Sequence, residues 1–281
     1  MLKKNIAVIF VSSIYLVLNS LQANAWTIEN SFDSQGIGDH CQPLWNGKAS
    51  IVTDVKSYSG SKACRMKIRE GSNSDGEWGG GINHPEKLGK GDEVWLRLRT
   101  FWPNGFDYNS YSSGNNLKYL RFRTKGPDNS NHGYVDWYLR PKGSVPPFQA
   151  IYEGVKMNWS QFGAAGDAIE FGKWETYEFY VKFDNIPASK GGKARIRTWK
   201  DGKLLADITD VPTLKESGTT SGDTLIFTYW NGGSPATQEM YVDDIVLTSD
   251  TPSGRDASGN PYIGMGKAEI IAAPLPPDNL F

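Results

Sequence analysis

Two short runs, LKYLRFRT (117–124) and HGYVDWYLR (132–140), set arginine, tyrosine, histidine and aspartate at alternate positions around the turn KGPDNSN. Side chains of an extended strand point alternately to its two faces. In the first run Leu120 and Phe122 share one face, opposed by Tyr119, Arg121 and Arg123. In the second, Val135, Trp137 and Leu139 oppose His132, Tyr134, Asp136, Tyr138 and Arg140. One face reads as core. The other holds groups suited to an anionic ligand and to proton transfer, because guanidinium pairs bidentately with carboxylate and Tyr or His of suitable pKa can take up or return a proton. We read it as the floor of a binding groove. The competing reading is a solvated outer face on which Arg stems cover aromatic rings.

Other stretches could contribute to that groove. In 93–102, Val94, Leu96 and Leu98 form a core side opposed by Trp95, Arg97, Arg99 and Phe101, which adds Arg97 and Arg99 as carboxylate clamps. FTYWNGG supplies Tyr229 and Trp230, and Glu77 and Trp78 could line the groove edge, where glycines would admit a sugar chain close to the backbone. His132, Tyr138 and Tyr229 are the candidate proton handlers and Arg121 the principal clamp. Arg123, Arg140, Tyr119, Tyr134 and Asp136 complete the floor. His40 and His84 stand in loop-like contexts and read as surface residues. Arg195 and Arg197 read as belonging to an opposite sheet.

The elements positioning these residues are many short strands separated by Gly, Pro, Asn and Asp, the pattern of a sandwich or barrel. Candidate strands are 26–32, 50–55, 63–69, 77–83, 93–102, 117–124, 132–140, 148–153, 174–183, 194–200, 203–208, 224–230 and 240–248. An irregular segment with Met157, Trp159 and Phe162 is expected to pack over one end. Asp201-Gly202 is a hairpin signal. With 31 Gly, 10 Trp and 13 Tyr in 281 residues, the composition suits an all-β domain with wide loops, often carbohydrate-facing.

Residues 1–25 read as a secretory signal: Lys3 and Lys4, an apolar run over 6–21, then Ala23-Asn24-Ala25. A transmembrane anchor is the less favoured reading, since the run is short and holds Ser12, Ser13, Asn19 and Ser20. Removing Lys3 and Lys4 from the 30 basic residues leaves 28 against 31 acidic ones, which argues against a general nucleic-acid binder. A secreted, periplasmic or extracellular monomer is expected, with no stable membrane span after cleavage. Cys41 and Cys64 then read as a structural disulfide rather than a metal site. A domain over 26–250 and an extended tail over 251–281 complete the division.

In order along the chain, GEWGGGINHPEKLGKGDEVWLRLRTFWPNGFDY, LKYLRFRT, GKWETYEFYVKF, RTWKDGKLL, FTYWNGG and YVDDIVLT resemble the concanavalin A-like jelly rolls of secreted bacterial polysaccharide lyases and carbohydrate-binding modules. The resemblance covers 26–250 and implies an all-β, two-sheet antiparallel sandwich. It further implies recognition, and a candidate β-eliminative cleavage, of a polysaccharide; the arginine-rich face motivates an acidic one, uronate-containing or sulfated. The alternative is a lectin-like binding module or matrix protein without catalysis. The paired-carboxylate strand of the laminarinase-like hydrolases is missing, and Glu175 and Glu178 fall on opposite strand faces. The Arg-x-Glu-x-Arg and Gln-x-His strands of the common alginate lyases are missing too, leaving Tyr229 as the one position carried over. Jelly rolls of this type often hold a structural Ca²⁺ between the closing and N-terminal strands. YVDDI therefore suggests Asp243, with Glu29 or Asp33 nearby, evenly balanced against a plain surface carboxylate.

Overall fold

The computed structural model describes residues 25–73, 78–109, 116–155 and 159–266, with the side chains of 116, 228 and 229 outside that set. Glu77, Met157, the expected leader up to 24 and the tail beyond 266 lie outside the described residues. Within them, alternating apolar and polar residues build β1 (Thr27–Asn30), β2 (Ser50–Thr53), β3 (Ala63–Ile68), β4 (Gly80–Leu88) and β5 (Glu93–Phe101). Then follow β6 (Asn116–Lys125), β7 (Asn131–Leu139), β8 (Phe148–Tyr152), β9 (Ser160–Phe162) and β10 (Trp174–Lys182). The last four are β11 (Arg195–Lys200), β12 (Lys203–Ile208), β13 (Thr220–Asn231) and β14 (Gln238–Thr248). Among the described residues, no helix is long and apolar enough to cross a membrane.

Two antiparallel sheets result. One runs β12-β11-β10-β5-β14-β3-β2, with β1 also on β14; the other runs β4-β13-β6-β7-β8-β9. Their inner faces meet through rings: Trp137 lies 5.2 Å and Tyr119 5.5 Å from Phe179, and Trp137 Nε1 donates to Thr198 Oγ1 at 2.7 Å. Burying each such side chain contributes roughly 1.5–3 kcal/mol, and the Trp137 indole N–H finds an acceptor inside this layer. Cys41 and Cys64 form the expected disulfide, Cα atoms 5.8 Å apart, joining the chain before β2 to β3.

Bulges decide which residues face where. A bulge inserts one unpaired residue and turns the following side chains to the other face. Opposite β7, the register of β6 slips between Lys118 and Leu120; opposite β6, that of β13 slips between Ile226 and Tyr229, where Phe227 has φ 49°. Tyr119 and Leu120 therefore both face the core, and Lys118 takes the outer position.

Beyond β14 the chain is not left loose. Residues 251–266 lie across the outer face of the eight-stranded sheet, where Ile263 joins Trp95, Tyr180, Trp199 and Val246 in a second small core. Trp95 Nε1 donates to Pro261 O, and Trp199 Nε1 to Asp256 Oδ2 at 2.9 Å. Arg97 donates to the carbonyls of Gly264 and Gly266, and Arg99 to that of Met265. Glu178 accepts from the N–H groups of Ile263 and Gly264.

Candidate functional site

The outer face of the six-stranded sheet gathers most of the chemistry. Between its two bulges β6 alternates regularly, so Arg121 and Arg123 point outward beside Tyr134 and Asp136 of β7. Arg121 makes a two-pronged pair with Asp136, both bonds 2.8 Å, and reaches Glu153 at 3.1 Å. Its guanidinium lies 3.5 Å from the centre of the Tyr134 ring. Arg123 grips Asp223 of β13 with Nε–Oδ1 at 2.9 Å and Nη2–Oδ2 at 2.5 Å. The two arginines thus spend their charge on the protein's own carboxylates.

Tyr138 closes this network. Its hydroxyl donates to Glu153 Oε1 at 2.5 Å, with Asp136 Oδ2 3.1 Å away. Burial, with the Asp136 and Glu153 charges, pushes its pKa far above the usual phenol range, so it stays protonated. Burial also raises the Asp136 carboxyl to about 7, helped by Glu153 and opposed by Arg121.

Lys118 is a further cation on this face, in register with Tyr138 of β7 on one side and Tyr229 of β13 on the other. Its ammonium lies 5.5 Å from the Tyr138 ring centre. The Tyr229 side chain is outside the described residues; its strand position is not. Trp45 and Trp159 frame the trough. Trp159 meets Tyr138 edge-on at 4.9 Å, and Trp45 lies 5.7 Å from the Arg123 guanidinium. The Trp45 ring fills the space above Gly81, where a Cβ would come within 2.3 Å of it. That glycine admits an indole of the protein itself, not a sugar chain as expected.

Several expected site residues lie elsewhere. Arg97 and Arg99 belong to the other sheet and are held by the tail, because β5 and β6 follow one another in the chain but not in a sheet. Tyr119 is core, turned there by the bulge. Trp78 and Trp230 are fully buried and stacked at 5.8 Å, so neither can line a groove. The register of β6 and β7 slips again between Thr124 and Lys125, which pairs Lys125 with Asn131 and turns His132 away from the trough. The His132 ring bonds Thr219 Oγ1 at 2.9 Å. Arg140 donates to Pro146 O, tying down the turn after β7. Arg195 and Arg197 pair with Asp207 on the opposite sheet, as expected.

His84 is not in a loop. It lies in β4, 5.3 Å from Trp26 and 6.2 Å from Phe122, and burial lowers its pKa to about 4. Glu175 faces inward to Lys200 at 2.6 Å while Glu178 faces outward to the tail, so the two are separated as their spacing implied.

The calcium expectation meets an unsuitable site. Asp243 accepts backbone N–H bonds from Tyr58, Ser59 and Asp244, and Asp244 pairs with Arg99 at 3.2 Å. A carboxylate ringed by donors does not fit a cation ligand, which needs several converging oxygens. Glu29 is exposed on β1. Among the described residues no group of three His, Cys, Asp or Glu could hold a metal.

No family model and no curated protein matches this sequence. Solved structures match its fold. The alginate lyase Aly36B superposes with TM-score 0.55 at 16% identity, over 80% of this chain and 97% of that one. The endo-β-1,4-glucuronan lyase of the fungus Trichoderma reesei does so with TM-score 0.53 at 11% identity, over 79% and 94%. A marine PL-14 alginate lyase from Aplysia kurodai gives 0.56 at 12% identity, over 80% and 99%. At such identities the likeness is one of architecture. The chain has the jelly-roll fold of these polysaccharide lyases, as the resemblance in its sequence implied.

Proposed function

We propose that the protein binds an acidic polysaccharide along the outer face of the six-stranded sheet and cleaves it by β-elimination beside Lys118. The observation that carries this reading is the register of Lys118 between Tyr138 and Tyr229, in a trough framed by Trp45 and Trp159. In such a cleavage the carboxylate beside the acidic C–H must be neutralised, the proton removed and the leaving oxygen reprotonated. Lys118 is the cation for the carboxylate, because its strand position is in register with both Tyr138 and Tyr229. The Tyr229 oxygen takes the proton from carbon, that C–H electron pair becomes the new C=C bond as the C–O bond breaks, and Tyr229 hands the same proton to the departing oxygen. Tyr138, buried and bonded to Glu153, does not reach the sugar; its ring packs beneath the Lys118 ammonium and supports it.

Folds of this kind occur among lyases of alginate and of glucuronan, which supports a uronate polymer as substrate. The disulfide supports export to an oxidising compartment. Lys118→Ala and Tyr229→Phe are each expected to abolish the near-ultraviolet absorbance of unsaturated ends on alginate or glucuronan, with the melting temperature unchanged. Full activity in either variant would refute its assignment. The internal neutralisation of both arginines favours a second reading, a binding module without catalysis. Under it, gel retardation by the polymer would occur with no rise in absorbance.

A further inference from the structure

On the far side of the sandwich, the outer face of β5 presents Trp95, Arg97, Arg99 and Phe101 in succession. The tail contacts described above engage the first three. Past Arg99 a row of rings follows: Tyr58 to Trp174 at 6.0 Å, Trp174 to Phe101 at 5.6 Å, Phe101 to Tyr241 at 6.1 Å. Tyr58 is 44% exposed although it packs on Arg99, whose guanidinium lies 3.8 Å from its ring. Phe101 and Tyr241 border a recess of about 390 Å³, shared with Lys56, Asn104, Thr237 and Glu239.

The chemistry of this recess is that of a sugar site. Rings offer flat apolar area for the C–H face of a pyranose, and a few placed polar groups meet its hydroxyls. The volume lies within the range of small-molecule sites, whose lower bound is roughly 300 Å³. Charge narrows the ligand further. Glu239 is engaged by the Tyr241 hydroxyl at 2.8 Å and by Arg65 at 3.8 Å. The exposed ammonium of Lys56 stands 4.9 Å from the Phe101 ring centre, and among the described residues no carboxylate pairs with it. An incoming sugar would therefore meet a cation beside the exposed edges of Phe101 and Tyr241, with the more open rings of Trp174 and Tyr58 next to them.

We propose that this recess is a second, non-catalytic binding site for acidic sugar units, holding polymer on the sheet opposite the trough. It rests on the acidic-polysaccharide reading only for the choice of polymer. The test is affinity electrophoresis of the full chain in gels with and without alginate or glucuronan. It compares the wild type, Lys118→Ala, Lys56→Ala and the double variant Lys56→Ala/Trp174→Ala; Lys56 is exposed, so its single variant guards against misfolding of the double. The site is supported if both Lys56 variants are retarded several-fold less than the wild type, while their rate of double-bond formation on short oligouronides is unchanged and Lys118→Ala remains retarded. Equal retardation of the wild type and the Lys56 variants, or no retardation by either polymer, would overturn it. A flat absorbance trace in the wild type would end the lyase reading without touching this comparison.

Discussion

Arg121 and Lys118 stand three residues apart on one strand, yet their surroundings differ. Arg121 is buried against Asp136 and Glu153, so removing it strands two carboxylates in a site of low polarity. Breaking such a pair typically costs about 3–5 kcal/mol. Arg121→Ala is expected to lose stability on that order in urea titration, whereas Lys118→Ala, at a half-buried position beside the Tyr138 ring, should lose less. His84 gives a pH-dependent counterpart. Its folded pKa of about 4 lies below the ordinary 6.5, so the unfolded chain takes the proton first and stability falls with pH across that window. Wild type should therefore lose stability relative to His84→Phe on acidification from pH 6.5 to 4; a constant difference would mean that the ring is not held neutral. Strand alternation alone places Arg121, Arg123, Tyr134, Asp136 and Tyr138 on one face, because all five lie between bulges. It fails at Tyr119 and His132, which sit at the slips, and it passes over Lys118 for the same reason.

At the scale of elements, the bulge in β6 is legible only in retrospect, as the adjacent apolar pair Tyr119-Leu120 in a strand that otherwise alternates. The tail is harder to read. Its Gly- and Pro-rich sequence suggests loose backbone, yet what Arg97 and Arg99 require from it are the carbonyls of Gly264, Met265 and Gly266. Main-chain acceptors carry no side-chain signature. Deleting 251–281 would leave Arg97, Arg99 and Glu178 without these partners and uncover Trp95, Tyr180 and Trp199. It should lower the melting temperature by several degrees and raise binding of a hydrophobic dye, since even 1 kcal/mol moves a large domain by roughly 2–4 °C. An unchanged melting temperature would show that the tail only rests on the sheet. Glu178 adds a handle: burial raises its pKa to about 7, and the tail's N–H groups oppose the rise.

For the whole molecule, the number of short strands, the turn residues and the aromatic content suffice to infer a two-sheet sandwich. They do not reveal sheet membership. β5 and β6 look like neighbours in the chain but lie in opposite sheets, which divides the arginines into a structural set under the tail and a set in the trough. The disulfide is a property at this scale: Cys41→Ser/Cys64→Ser should cost about 3 kcal/mol in denaturant unfolding on the chain-entropy model. The most direct test of the account is absorbance of the purified protein with alginate and with glucuronan, alongside Lys118→Ala and Tyr229→Phe. Rising near-ultraviolet absorbance in the wild type on one polymer, lost in both variants at unchanged melting temperature, is the expected result. A flat wild-type trace on both polymers, or activity surviving in Lys118→Ala, would contradict it.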